Sequence, residues 1–342
     1  MERPQAFANL WIIIKTIGWV LALEGVADFF SDRHYHTLFR RLIFLFIDRD
    51  PARPEPPDNW ADWRAVDQQN DADVLRSELG FTIPLLLESP KCYWIWKYRL
   101  WLLQETIERL DVQMARRVWE EELGLASKML TKDKRNFHAW GYRRKVVAKL
   151  ESAELDGKSM VEPEFEYTYK MIGVDLSNFS AWHNRSKLIP RLLDERGADA
   201  AARKDFLETE LNLVREALNV GPEDQSLWFY HGFLMREITD YTGRPTITPN
   251  LSESEREEYV CREIDFIKDL LEDYDDIKWL YDALLEYSVD LWNLTGLMPQ
   301  PDELDEYWEW LQRLQKLDPM RKGRWDDFEM MLRKSARESS GL

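Results

Sequence analysis

From about residue 71 onward the apolar positions recur with helical spacing, and polar stretches break the run into segments. In "RKDFLETELNLVREALNV" the apolar residues Phe206, Leu207, Leu211, Leu213, Val214 and Leu218 fall close to one helix face. "ARRVWEEELGLASKML" reads the same way. Loops near Glu151, Asp194, Thr242 and Leu297 punctuate the pattern. Four blocks of related sequence follow, the second and fourth directly after the two amphipathic segments just quoted: "SPKCYWIWKYRLWLL" from Ser89, "DKRNFHAWGYRRKVV" from Asp133, "LSNFSAWHNRSKLI" from Leu176 and "PEDQSLWFYHGFLM" from Pro222. Their tryptophans, Trp96, Trp140, Trp182 and Trp228, stand 44, 42 and 46 residues apart. That period predicts stacked two-helix repeats, an all-α solenoid.

Aligning the blocks on Trp gives each position a reading. Four residues earlier stand Cys92, Asn136, Asn178 and Asp224; Asn and Asp there are expected N-caps. Three residues earlier stand Tyr93, Phe137, Phe179 and Gln225, and three residues later Arg99, Arg143, Arg185 and His231. Positions i and i+3 share a helix face, so each helix is expected to carry an aromatic plate beside a cation. The plate would fill the space between layers, and the arginine would bond carbonyls or carboxylates of the adjoining repeat. Trp96, Arg99, Trp140, Arg143, Trp182, Arg185 and Trp228 are therefore the expected repeat core. His183 and His231, on or beside the arginine face, are expected to be structural. A row of helix N-termini would make a concave, electropositive rim suited to anions. Lys91 and Arg135 stand just ahead of their helices and are the candidates for phosphate contact.

Composition narrows the function. Only 14 glycines among 342 residues favour helix over a turn-rich β architecture. A net charge of −17 argues against nucleic-acid binding, which needs a basic face. The two cysteines, Cys92 and Cys261, build neither a disulfide framework nor a Cys-rich zinc site, and a cytoplasmic setting fits. The sequons at Asn178 and Asn184 fall inside the repeated blocks, which are expected to pack. No HExxH, GxSxG or phosphate-binding glycine loop occurs, and the histidines lack zinc-ligand spacing. If the chain belongs to an enzyme, most of the chemistry therefore sits on another chain. Residues Phe7 to Phe30 are nearly apolar but interrupted by Lys15, Glu24 and Asp28, which disfavours a membrane span. "DRDPARPEPPDNW" reads as a linker. The expected organisation is an atypical apolar extension with its linker over 1–57, a repeat domain over 58–335 and a tail over 336–342.

At the repeated blocks the sequence resembles the α subunit of a protein prenyltransferase, whose repeat has an Asn-aromatic-x-x-Trp-x-x-Arg core. "NFHAWGYRR" and "NFSAWHNRS" match that core, and "KCYWIWKYR" and "DQSLWFYHG" match it with departures. "IKWLYDALLEY" and "LQKLDPMRKGRWDDF" also fit, so the resemblance covers roughly Thr82 to Phe328. Tyr98 and Tyr142 stand where the farnesyltransferase branch tends to carry His, so the type II (Rab) geranylgeranyltransferase branch is the better match. "NWADWRAV" is at best a remnant of the family's first repeat.

The resemblance implies a right-handed α-α superhelix of helical hairpins wrapped around a β subunit. That β subunit carries zinc and the lipid pocket; no cofactor belongs to this chain. The implied reaction transfers geranylgeranyl from geranylgeranyl diphosphate to C-terminal cysteines of a Rab GTPase presented by an escort protein. By motif position the diphosphate lysine falls on Lys91, the neighbouring aromatic on Tyr93, and the next repeat's substrate-facing pair on Phe137 and His138. Lys91, Tyr93 and His138 are the expected catalytic residues; Lys91 and Arg135 are the expected diphosphate contacts. The alternatives are a farnesyltransferase or type I α subunit, and a helical-repeat adaptor without enzymatic role.

Overall fold

A computed structural model describes residues 68–241, 244–297 and 299–339. These residues form twelve α-helices and no strand. In chain order they are α1 (Gln68–Glu88), α2 (Tyr93–Arg109), α3 (Val112–Lys132), α4 (Phe137–Leu150), α5 (Val161–Val174) and α6 (Phe179–Glu195). Then follow α7 (Ala200–Val220), α8 (Gln225–Thr239), α9 (Glu253–Asp273), α10 (Lys278–Thr295), α11 (Pro301–Leu317) and α12 (Lys322–Ser339). The apolar extension, the Pro-rich linker and "NWADWRAV" lie outside the described residues.

The described residues divide into two compact units, one up to Val118 and one from Trp119 onward. In the first, α1 packs against α2. Arg99 donates to the Leu79 carbonyl at 2.6 Å and to the Thr82 hydroxyl, while the Tyr98 hydroxyl donates to Glu78 at 2.9 Å. Trp96 is buried.

In the second unit α5 packs with α6, α7 with α8, α9 with α10 and α11 with α12. The Tyr142 hydroxyl donates to Glu122, which joins α3 to α4 in the same manner. Second helices also meet one another, α6 on α8 and α8 on α10, which links successive hairpins. Local chemistry sets the helix limits. Ser252 and Glu255 form a reciprocal capping box at the start of α9, Pro301 opens α11, and Gly296 ends α10 at φ 66°, a left-handed conformation that favours glycine.

Candidate functional site

Each repeat's tryptophan does two jobs. Its ring is buried, and its indole N–H donates to the carbonyl six residues back, closing the turn before the helix. The donors and acceptors are Trp96 to Pro90 (2.8 Å), Trp140 to Lys134 (2.9 Å), Trp182 to Leu176 (2.8 Å) and Trp228 to Pro222 (2.6 Å). The device continues beyond the four blocks. The Tyr281 hydroxyl donates to Asp275 at 2.7 Å, and Trp325 donates to Asp318 at 2.8 Å. The tryptophan period alone does not reveal Tyr281, because a phenol there supplies the same donor.

Arg143 and Arg185 are latches between hairpins, whereas the Arg99 bonds given above stay within its own hairpin. Arg143 forks onto Glu164 of α5 at 2.9 and 2.5 Å and also holds Ser127 of α3. Arg185 forks onto Glu210 of α7 at 2.7 and 2.6 Å. The Tyr230 hydroxyl adds a third bond to Glu210, at 2.5 Å. Burial opposes the Arg185 charge, but the Glu210 hydrogen bond and charge more than offset it, so its pKa is raised. In the next repeat His231 replaces Arg: fully buried, its Nε2 is 3.0 Å from Glu263 and its Nδ1 2.7 Å from the Tyr287 hydroxyl. Its structural role is as expected.

The caps also hold in the second unit. Asn136 accepts from His138 N and Ala139 N, Asn178 from Ala181 N, and Asp224 from Ser226 N. Cys92 holds the corresponding extended backbone conformation without a side-chain cap bond. Asn178 and Asn184 are buried, which excludes glycosylation of the folded chain at either position.

One expectation about the aromatic plates changes. Trp and Arg turn inward, whereas the first residue of each helix turns out: Tyr93 is 54% exposed, Phe137 65% and Phe179 49%. An exposed position cannot fill the space between layers. The first helical residue lies at the helix end, where the ring stays open to solvent even when, as for Phe179, it also meets Phe229 of α8 at 5.9 Å.

The turns before α4, α6 and α8 are joined in series. Asn178 Nδ2 donates to the Lys134 carbonyl at 3.0 Å, Ser226 Oγ donates to the Ser177 carbonyl at 3.2 Å, and the Ser177 hydroxyl donates to Asp224. The expected row of helix N-termini is therefore present in this unit. Its charge is uneven. Asp224 caps α8. Asp175, two residues before Ser177, accepts a bidentate pair from Arg135 at 3.0 Å. The Arg135 hydrogen bond holds the Asp175 carboxyl below its ordinary range. The α4 start keeps a neutral cap, Asn136, with Lys134, Arg135 and His138 around it. His138 lies beside Phe137, ring centroids 4.0 Å apart.

Lys91 and Tyr93, both exposed, occupy the matching positions at the start of α2, in the first unit. The candidates thus fall at two equivalent helix starts: Lys91 and Tyr93 at one, Arg135 and His138 at the other. Among the described residues no group of three or more His, Cys, Asp or Glu is arranged to hold a metal ion. None of the described helices is long and apolar enough to cross a membrane.

Comparison with known proteins agrees with this arrangement. The family model "Protein prenyltransferase alpha subunit repeat" matches residues 75–106, 119–150, 161–192 and 207–238. The geranylgeranyl transferase type-2 subunit alpha of Saccharomyces cerevisiae is 31% identical over 261 residues, which is 72% of this chain and 71% of that protein. The chain belongs to the protein prenyltransferase α-subunit family. Its relatives bear the type-2 name in yeasts and mammals alike. The Schizosaccharomyces pombe subunit is 32% identical over 60% of each chain. The Rattus norvegicus subunit is 36% identical over 49% of this chain, which spans 27% of the rat protein. Among solved structures, a chain of the Candida albicans protein geranylgeranyltransferase-I complexed with GGPP superposes with TM-score 0.50 at 20% identity, covering 92% of this chain and 88% of that one. That likeness concerns the fold, the α-α superhelix of helical hairpins. Each matched repeat segment ends within or at the close of a second helix, α2, α4, α6 or α8.

Proposed function

We propose that this chain is the α subunit of a type II protein geranylgeranyltransferase. The observation that carries the reading is the 31% identity to the yeast type-2 α subunit across 71% of its length. The partner is a β subunit holding zinc and the lipid pocket. The pair transfers geranylgeranyl from geranylgeranyl diphosphate to C-terminal cysteines of a Rab GTPase delivered by an escort protein, in the cytoplasm. The bonded turns support this role, because they tie the starts of α4, α6 and α8 to one another.

In this reading α2 offers its N-terminus to the diphosphate. When the carbon–oxygen bond breaks, negative charge grows on the departing diphosphate. The Lys91 ammonium, set beside a helix start, stabilises that charge. Tyr93 flanks it; the motif position also assigns Arg135 to the diphosphate and His138 to catalysis. Phe137 offers an apolar ring without a hydroxyl. Zinc, when bound to the β subunit, supplies the thiolate form of the substrate cysteine.

The test is co-expression with a type II β subunit, pull-down, and lipid transfer to Rab with and without escort. Stable pairing with escort-dependent transfer is expected. Transfer to a C-terminal CaaX peptide without escort would instead assign the chain to the farnesyltransferase and type I branch, and absence of pairing would make it an adaptor. Lys91→Ala in the assembled enzyme should lower kcat about 10²- to 10³-fold, the usual cost of one preorganised charge-stabilising donor, with the heterodimer intact. Unchanged turnover would remove Lys91 from the site.

A further inference from the structure

The turns of the larger unit are tied together by side chains at one repeated position. Five residues before Trp140 and Trp182 stand Arg135 and Ser177, and each donates to an acid in the turn of the next hairpin. Arg135 reaches Asp175, 40 residues on, and Ser177 reaches Asp224, 47 residues on. The Ser177 tie is one hydroxyl on one oxygen. The Arg135 tie is a fork: Nε donates to Asp175 Oδ2 and Nη2 to Oδ1, both at 3.0 Å. One bond lets a side chain swivel, whereas two parallel bonds fix the plane of the guanidinium.

Asp175 is itself held. It is the C-cap of α5; its amide donates to the Met171 and Ile172 carbonyls, and its carbonyl accepts from the Asn178 amide. Asn178 in turn donates to the Lys134 carbonyl, so the peptide that carries Arg135 is bonded to the same turn. The Arg135 hydrogen bond, followed by the Arg135 and Lys134 charges, favours the Asp175 carboxylate, and the fork is charged at neutral pH.

The fork leaves part of the cation free. A guanidinium has five N–H donors, and this one uses two. Nη1 makes no bond with any described residue, and the Arg135 side chain is 58% exposed against 19% for Asp175. A ligand arriving from solvent therefore meets the cation first, with its rotamer already set. Arg196 forks onto Glu162 in a similar way, but it is the C-cap of α6, where the helix dipole opposes an anion. Arg135 instead stands just ahead of α4, whose cap, Asn136, is neutral.

We propose that Asp175 is a positioning residue for the diphosphate of the lipid substrate, acting by holding Arg135 in one rotamer with its Nη1 edge open. This rests on the assignment of Arg135 to the diphosphate in the reading above. The carboxylate has two opposed effects on an anion nearby. Fixing Arg135 removes the ordering cost of a long side chain on binding, and the negative charge repels the diphosphate. Positioning outweighs repulsion here, because the fork is direct and the repulsion acts across solvent.

The experiment uses the assembled enzyme with escort-presented Rab. It measures the KM for geranylgeranyl diphosphate, the KM for Rab, and the Ki of inorganic diphosphate as competitor. Asp175→Asn should raise the first and the third by about 2- to 12-fold, the ordering cost of one such side chain, and leave the KM for Rab unchanged. In an Arg135→Gln background the same substitution should lower the KM for geranylgeranyl diphosphate, since only repulsion is left to remove. Ser177→Ala, which cuts the tie one turn along, should leave all three constants unchanged. An unchanged or lowered KM for geranylgeranyl diphosphate in Asp175→Asn would overturn the positioning role, as would an equal rise in Ser177→Ala or in the KM for Rab. If Arg135→Gln raises KM and Ki while Asp175→Asn does not, the Arg135 assignment stands and the role of Asp175 alone is removed. If Arg135→Gln alters neither, the Arg135 assignment falls and Asp175 with it.

Discussion

Glu210 illustrates how single residues hold the repeats. Its carboxylate is 1% exposed, yet it accepts two bonds from Arg185 and one from Tyr230. Three donors satisfy the charge that burial would otherwise make untenable. Arg185→Ala removes two of them and leaves a buried anion. Its expected cost is about 3–5 kcal/mol, read as a shift in the urea midpoint. Asp290 is a different case. Burial raises its pKa to about 6, with Thr239 as its hydrogen-bond partner. The folded chain therefore holds this proton at pH values where the unfolded chain has released it. Stability attributable to Asp290 is present at pH 4 and is lost as pH rises through 6. Asp290→Asn should remove this part of the pH dependence and stabilise the protein at pH 7. Paired melts of the two proteins from pH 4 to 8 decide it.

At the scale of the element, the repeat is a turn bonded to the helix it starts. The cap residue satisfies the first amides, and the tryptophan four residues on reaches back to the turn's carbonyl. Sequence spacing exposed both, because a cap and a ring separated by one helical turn leave a fixed register. The exposed side of the element was less legible. Phe137 and Phe179 were assigned to the packed face on i, i+3 geometry, but that geometry does not say where the neighbouring helix ends. Cys92 offers a test of the cap. Its φ of −75° and ψ of 105° nearly match the −66° and 101° of Asn136, but its side chain makes no cap bond. Cys92→Asn should stabilise the chain by about 1 kcal/mol, seen as a higher Tm.

At the scale of the molecule, hairpins contact mainly their neighbours, so cooperativity depends on the latches. Glu164, Glu210 and Glu263 each receive Arg143, Arg185 or His231 from the preceding hairpin. In such arrays stability is close to a sum of hairpin terms and nearest-neighbour interface terms. Arg185→Ala weakens one interface selectively. Its urea transition should therefore broaden, with a smaller m-value than the parent's, beyond the shift in midpoint. A shifted transition of unchanged slope would mean that the latch contributes stability without coupling the hairpins.

The sequence by itself determined the all-α class, the repeat, the caps, the tryptophan–arginine core and the family. Each depends on spacing along one chain, and helical geometry converts spacing into position. Only the tertiary structure decided which carboxylate each arginine meets and which aromatic rings stay exposed. Those depend on residues from different helices whose separations, 21 for Arg143–Glu164, 25 for Arg185–Glu210 and 32 for His231–Glu263, follow no common period. The loops between hairpins vary in length, so position along the chain does not specify the partner; packing of one hairpin on the next does.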